Sequence, residues 1–443
     1  MGLFGARRAA SAGRYPWWVL TLSTLGVIAV LGVVITLFFT LGRRPESYQM
    51  TQLPAAGTME FLESIAGTAG VPLRRGGGIR LLNDGAFHDA LLPAIRNATR
   101  NINFCVYIWE PGRATDEVLA ALRERLRAGV QVRVLLDGVG GLRAPGEQMD
   151  ALRSAGAKVE RYRSARLGKL TRIHKRNHRR AIVMDGRLAF TGGAAIADKW
   201  LGAARNPEEW RDLMVQVSGP LAATVQSAFV ATWAHSTGEI LSGPDVFPSF
   251  DEPPGSDGDA ERHHVGIASA PSSENHPLRL FFFQTIGAAR ERLYITTPYF
   301  VPERATRMAV AERARSGVDV RLLLPNEHSD ADMIRLTSRR YYRELLEAGV
   351  RIFEFQPTML HVKSIVVDGI WSVVGSANLD IRSVELNDEN VLGVHDREFA
   401  AELEAAFLED LERSHEIRLP EWRQRGLLER VSEWAASRLA EQY

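Results

Sequence analysis

Short runs of four to seven apolar residues alternate along this chain with longer stretches in which apolar positions return every three or four residues. The first pattern suits buried strands and the second amphipathic helices. From residue 79 the pattern predicts a strand at 79–82 ending in the turn signal Asn83-Asp84-Gly85, then a helix through Phe87, Leu91, Leu92 and Ile95. A strand at 102–108, a helix at 115–128 stopped by Gly129 and a strand at 130–136 follow. This alternation predicts an α/β domain with a largely buried sheet. A short helix at 59–66 is expected ahead of it.

The order then repeats. Helices at 280–292 and 304–316 alternate with strands at 293–297 and 318–324. Specific phrases recur: Gly129-Val130-Gln131-Val132-Arg133 is answered by Gly317-Val318-Asp319-Val320-Arg321, and Ala155-Gly156-Ala157 by Ala348-Gly349-Val350. The offset is 188 positions at Gly129 and Gly317 and 193 at Gly156 and Gly349. So small a drift predicts an internal duplication with loop insertions. Residues 247–264, rich in Pro, Gly, Asp and Ser and without apolar periodicity, read as a linker. The expected division is an N-terminal segment at 1–45, a first domain at 46–246, the linker, and a second domain at 265–443 closed by helices at 398–411 and 427–439.

One stretch breaks the globular pattern. Residues 17–41 carry no charge, and as a helix rising about 1.5 Å per residue they would reach about 38 Å, more than the roughly 30 Å hydrocarbon core. The run lacks a small-residue cleavage site and ends in Phe-Phe-Thr-Leu-Gly-Arg-Arg. It reads as one uncleaved transmembrane helix, not as a secretory signal, with Trp17 and Trp18 suited to an interfacial belt. Arg7, Arg8 and Arg14 before it, against Arg43 and Arg44 after it, give a slight bias toward a cytoplasmic N-terminus.

The remainder is ordinarily globular, with 443 residues, 45% of them apolar and 24% charged, leaving room for two or three domains. A net charge of +1 supplies no general attraction to nucleic acid. The single Cys105 excludes an intrachain disulfide and any cysteine-built metal site. Residues 161–180 are the local exception, with nine Lys or Arg and no acid. They read either as a solvated basic loop or as a surface that attracts anionic lipid headgroups. His174, His263 and His264 stand in no motif and are expected at the surface.

Chemistry concentrates in residues 361–378. His361 and Lys363, two apart on an expected strand, point to one face. Asp368-Gly369 turns the chain, Gly375-Ser376 lets the backbone approach a ligand closely, and Asn378 adds an amide. A cation, hydroxyl and amide donors, and an imidazole able to attack phosphorus or protonate a leaving oxygen suit a phosphate. Residues 178–195 echo the spacing at an offset of 183, with His178, Arg180, Asp185, Gly192 and Gly193. One active site assembled from two halves is expected.

The spacing His-x-Lys-x4-Asp-x6-Gly-Ser-x-Asn resembles the signature of the phospholipase D superfamily at every position of the second segment. Tyr107-Ile108-Trp109, Thr297-Pro298-Tyr299-Phe300, and Asn378-Leu379-Asp380-Ile381-Arg382-Ser383 resemble its bacterial cardiolipin synthase branch, and the likeness spans about residues 60–420. It implies two duplicated α/β/α sandwich domains in a pseudo-twofold pair. It also implies a metal- and cofactor-independent ping-pong reaction through a phosphohistidine, with His178 as nucleophile and His361 as acid and base. Lys363 and Arg180 would serve the phosphate, together with Gly192, Gly193, Gly375, Ser376 and Asn378. Asp212 and Glu389 resemble the carboxylates that orient the two histidines, while Asp185 and Asp368 are expected to fix turns.

The first segment departs from the pattern twice, with Arg180 in place of Lys and Ala195 in place of Asn. Arginine keeps the charge with a different geometry; the missing amide removes donors. The function implied is a phosphatidyltransferase anchored in a bacterial membrane, acting on phospholipids and not on nucleic acid, and making cardiolipin from phosphatidylglycerol. Its rivals are a hydrolytic phospholipase D, a superfamily nuclease and a non-catalytic lipid-binding protein with a decayed first motif.

Overall fold

The computed structural model describes residues 52–162, 175–250, 262–270 and 276–426, with scattered positions nearer the termini. Most of 17–41 and of 427–439, together with residues 163–174, lies outside the described residues. Among the described residues no helix is long and apolar enough to cross a membrane. Met1–Gln49 forms one compact unit and Met50–Tyr443 the other. In the smaller unit, residues 21–27 are helical, and Leu22, Leu25 and Val27 are exposed.

In the larger unit the repeated pattern becomes two sheets of like order. The first runs Ile79–Asn83, Leu213–Ser218, Leu188–Gly192, Ala181–Met184, Asn101–Val106, Gln131–Asp137 and Lys158–Tyr162. The second places His263–Ser269, Glu389–His395, Trp371–Gly375, Ser364–Val367, Arg292–Thr296, Asp319–Pro325 and Arg351–Phe355 in the same positions. It adds Arg74–Arg75 at one edge and Ser414–Ile417 at the other. The last three strands of the shared order are parallel in each sheet, and the other pairings are antiparallel. The connections explain the mixture: Asn101–Val106 reaches Gln131–Asp137 through the helix Arg113–Arg127, whereas Ala181–Met184 returns as Leu188–Gly192 through a tight turn.

The halves share one interior. A single apolar cluster takes Cys105, Val183 and Val215 from the first sheet and Leu323, Val366 and Val394 from the second. Phe229 and Trp233 of the helix Pro220–Thr237 join it, as do Phe399 and Leu403 of Arg397–Glu412. Pro220–Thr237 buries the stripe through Leu221, Val225, Phe229 and Trp233 and leaves Ser227, Ala231 and His235 exposed. On the other face of the first sheet, Phe87 and Leu91 of Ala86–Asn97 and Val118 and Leu122 of Arg113–Arg127 form a second core.

The division between halves follows packing more than sequence order. Met59–Ala69 lies against Pro277–Gly287, with Phe61 edge-on to Trp371 at 5.3 Å. Arg74–Arg75 pairs with His263–Ser269. Residues 59–75, inside the 46–246 stretch, are therefore built into the second sheet's side. His263–Ser269 itself begins within 247–264. His264 corrects the expectation of exposure: strand alternation turns it inward to full burial, which pushes its ring down to about 4. His263 is half-buried and His174 lies outside the described residues.

Candidate active site

His361 and Lys363 were expected on a strand, but the strand begins at Ser364; in the first half it begins at Ala181, one residue after Arg180. The residues just ahead pair across the halves instead. Asn177 forms a parallel bridge with Asp388, and Leu360 with Arg211. His178 N donates to Asp388 O at 2.9 Å and Asp388 N to Arg176 O at 2.8 Å. Reciprocally, His361 N donates to Arg211 O at 2.7 Å and Arg211 N to Met359 O at 2.9 Å.

These backbone ties cross the carboxylates. Asp388 precedes Glu389, whose oxygens accept from His178 Nδ1 at 2.9 and 3.0 Å. Arg211 precedes Asp212, which accepts from His361 Nδ1 at 2.6 Å. Each histidine is oriented by an acid from the opposite half, and all four side chains are buried. Sequence places the two acids but does not say which serves which imidazole.

Small residues make room for this. A Cβ on Gly375 would meet the Asn390 carbonyl, and one on Gly192 the Leu213 carbonyl, so both glycines let the carboxylate-bearing strand pass closely. A Cβ on Gly193 would collide with Asp212 Oδ1. Ser376, at the equivalent position, instead donates its hydroxyl to Glu389 Oε2 at 2.5 Å, with Asn387 Nδ2 at 3.3 Å from Oε1. Asp212 is held by Trp200 Nε1 at 2.9 Å and by the Leu213 amide at 2.8 Å. Trp200 is a neighbour of this cluster that no spacing in the sequence marks. Asn390 is another, accepting from Arg180 N and donating to Arg180 O.

The cations sit beside the imidazoles. Lys363 Nζ donates to His361 O at 2.6 Å and lies 3.2 Å from both ring nitrogens. Arg180 Nη1 donates to His178 O. Arg176, Arg179 and Arg180 are buried, so this described end of the basic stretch is not a lipid-facing surface; Arg179 ties the halves through the Ala228 and Ser269 carbonyls. Asn378 is buried, and its Oδ1 has no partner among the described residues. Asp185 and Asp368 hold turns: each is left-handed, with φ of 55° and 51°, and accepts the backbone N–H groups of residues 99–101 and 290–292 respectively.

Burial and like charge favour neutral imidazoles. Burial, then the Lys363 charge, pushes His361 down to about 4 against the pull of Asp212. Burial and Arg180 hold His178 well below its ordinary range. Burial also lowers Lys363 to about 7 and raises Glu389 to about 7. Although burial opposes it, His361 and Lys363 keep Asp212 below the usual carboxylate value. With Nδ1–H given to its acid, each imidazole keeps the Nε2 lone pair for chemistry. Tyr107 packs on His178 at 4.9 Å between ring centroids, and Trp210 on His361 at 5.3 Å.

The sequence matches the family described as "Cardiolipin synthase, PLD-like domain" over residues 91–233 and 282–411, one histidine segment in each stretch. Cardiolipin synthase A of Pseudomonas fluorescens (strain SBW25) is 36% identical over 355 residues, 79% of this chain and 72% of that protein. The cardiolipin synthase of Halalkalibacterium halodurans is 31% identical over 448 residues, 95% of this chain and 88% of that protein. Phosphatidylserine synthase of Haemophilus influenzae Rd KW20 shares the fold, with a TM-score of 0.64 at 16% identity over 86% of this chain and 96% of that one. Polyphosphate kinase of Porphyromonas gingivalis shares it more loosely, with a TM-score of 0.51 at 11% identity over 86% of this chain and 53% of that one. With the duplicated sheets, the paired histidine segments and these matches in hand, the chain belongs to the cardiolipin synthase family of phospholipase D-like proteins.

Proposed function

We propose that this chain is a phosphatidyltransferase that makes cardiolipin from two molecules of phosphatidylglycerol, releasing glycerol. One observation carries the reading: two buried imidazoles, each oriented through Nδ1 by an acid of the other half, with Lys363 and Arg180 beside them. The names of the relatives, cardiolipin synthases, support transfer to a lipid alcohol over transfer to water.

His178 is the nucleophile. Its Nε2 bonds to phosphorus as the P–O bond to the departing glycerol breaks, and His361 gives that oxygen its proton. The hydroxyl of the second phosphatidylglycerol then yields its proton to His361 and attacks phosphorus. The P–N bond breaks and both histidines return to their starting state. The low proton affinity of His361 suits this cycle, because an anionic phosphodiester beside it favours the imidazolium, so proton and substrate bind together. Lys363 and Arg180 offset the charge on the non-bridging oxygens.

The uncharged run at 17–41 is the proposed single-pass anchor in the bacterial cell membrane. It holds the site beside an insoluble substrate and raises the effective concentration of both partners. The test is to incubate purified full-length protein with vesicles containing labelled phosphatidylglycerol. Cardiolipin and glycerol in equal amounts are expected. Phosphatidic acid as the sole product would reassign the chain to hydrolysis, and an inert lipid would sink the proposal.

A further inference from the structure

The two halves hold their histidine carbonyls in the same way and then differ. Lys363 uses Nζ for the His361 carbonyl, and Arg180 uses Nη1 for the His178 carbonyl. Lysine has no second nitrogen. Arginine has two more, and in Arg180 both Nε and Nη2 are buried without a hydrogen-bond partner among the described residues. These atoms form the side edge of the guanidinium, whose parallel N–H groups fit two oxygens of one phosphate. The side chain is fully buried, and its backbone is clamped on both sides by Asn390. Its guanidinium carbon lies 5.8 Å from the centre of the Tyr107 ring, which itself packs on His178 at 4.9 Å, so the fork stands beside that imidazole.

The second half has Asn378, whose buried side chain carries an acceptor, Oδ1, without a partner among the described residues, and one donor nitrogen, Nδ2. Its counterpart is Ala195, a residue with nothing to donate. The half that lacks the amide is the half with the surplus donors.

We infer that Arg180 takes over two tasks, fixing the His178 carbonyl through Nη1 and gripping two non-bridging phosphate oxygens through Nε and Nη2, so that Arg180 and Ala195 form one coupled exchange for the Lys and Asn of the second half. The first motif is re-engineered around a single fork and is not a decayed copy. This rests on the proposed phosphodiester chemistry, but its test does not depend on the lipid.

The test is a four-member cycle of the full-length protein: wild type, Arg180→Lys, Ala195→Asn and the double variant. Binding of inorganic tungstate is read by calorimetry and cardiolipin formation by product analysis. Arg180→Lys is expected to weaken tungstate binding at least tenfold and to slow turnover about 100-fold, the scale for one lost oxyanion donor. The double variant is expected to recover at least tenfold of the rate. Ala195→Asn alone is expected to bring no gain, since the fork already supplies the donors. A double variant no better than Arg180→Lys would overturn the coupling, as would a tenfold gain from Ala195→Asn alone, which can be read even if Arg180→Lys does not fold. Tungstate binding by a wild type that makes no cardiolipin would separate failure of the proposed reaction from failure of the exchange.

Discussion

Asp212→Asn and Glu389→Gln should break the cycle at different steps, because each acid serves only one histidine. Each substitution leaves a near-isosteric group but removes the charge that stabilises an imidazolium. The bonds concerned are buried, 2.6 Å for His361 to Asp212 and 2.9 Å for His178 to Glu389. Removing one preorganised group that stabilises charge developing in the transition state costs about 3–4 kcal/mol, roughly 10² to 10³ in rate. The assay uses a phosphatidyl ester of p-nitrophenol, whose leaving group departs without a proton. Asp212→Asn should then release about one equivalent of p-nitrophenol per site in a burst and stall, with a phosphohistidine on His178 detectable after alkaline quench. Glu389→Gln should show no burst, since its nucleophile is misoriented and its product charge unsupported. A burst in Glu389→Gln and none in Asp212→Asn would reverse the roles of the histidines. Loss of the burst in both would refute the division of labour between the two acids.

Three further outcomes follow from the same geometry. With Lys363 lowered to about 7 by burial, its charge is present below that pH and lost above it, so kcat/KM should decline as pH rises through about 7; Lys363→Arg should carry that limb at least two pH units higher, and an unmoved limb would rule Lys363 out as its source. Gly193→Ala drives a methyl against the Asp212 carboxylate and should cost at least 100-fold in turnover, whereas Gly375→Ala meets the Asn390 backbone and should chiefly lower thermal stability, by about 1–3 kcal/mol; equal stability losses with unchanged turnover would contradict the assignment. Arg211, whose Nε lies 2.9 Å from both oxygens of buried Asp410, holds two distant parts of the chain together, so Arg211→Met should lose about 3–5 kcal/mol in urea unfolding, and adding Asp410→Leu should restore part of it.

The order of strands and helices was legible because buried strands and amphipathic helices leave different periods, and the duplication repeated those periods with little drift. Boundaries slipped where tertiary pairing intervened. His361 and Lys363 look like strand residues by alternation, yet the preceding backbone at Leu360 is taken by Arg211 and regular pairing starts only at Ser364. His264 looked like part of a polar linker, but its strand is covered and its ring is buried. Residues 59–75 precede the first half in sequence and pack on the second, because Phe61 and Arg74–Arg75 find their partners there.

By itself the sequence determined which side chains stand at matching positions of the two repeats. Histidine, cation, turn-forming Asp and small residues sit within eighteen positions of one another, so covalent spacing alone specifies each half, including the departures at Arg180 and Ala195. Only the tertiary structure decided how the halves share those groups. Asn177 meets Asp388 and Leu360 meets Arg211 across sequence separations that spacing cannot encode, and these bridges give each histidine the other half's acid. The same closure buries both imidazoles, which disfavours their charged forms. That depends on burial, and burial exists only when both halves are in place.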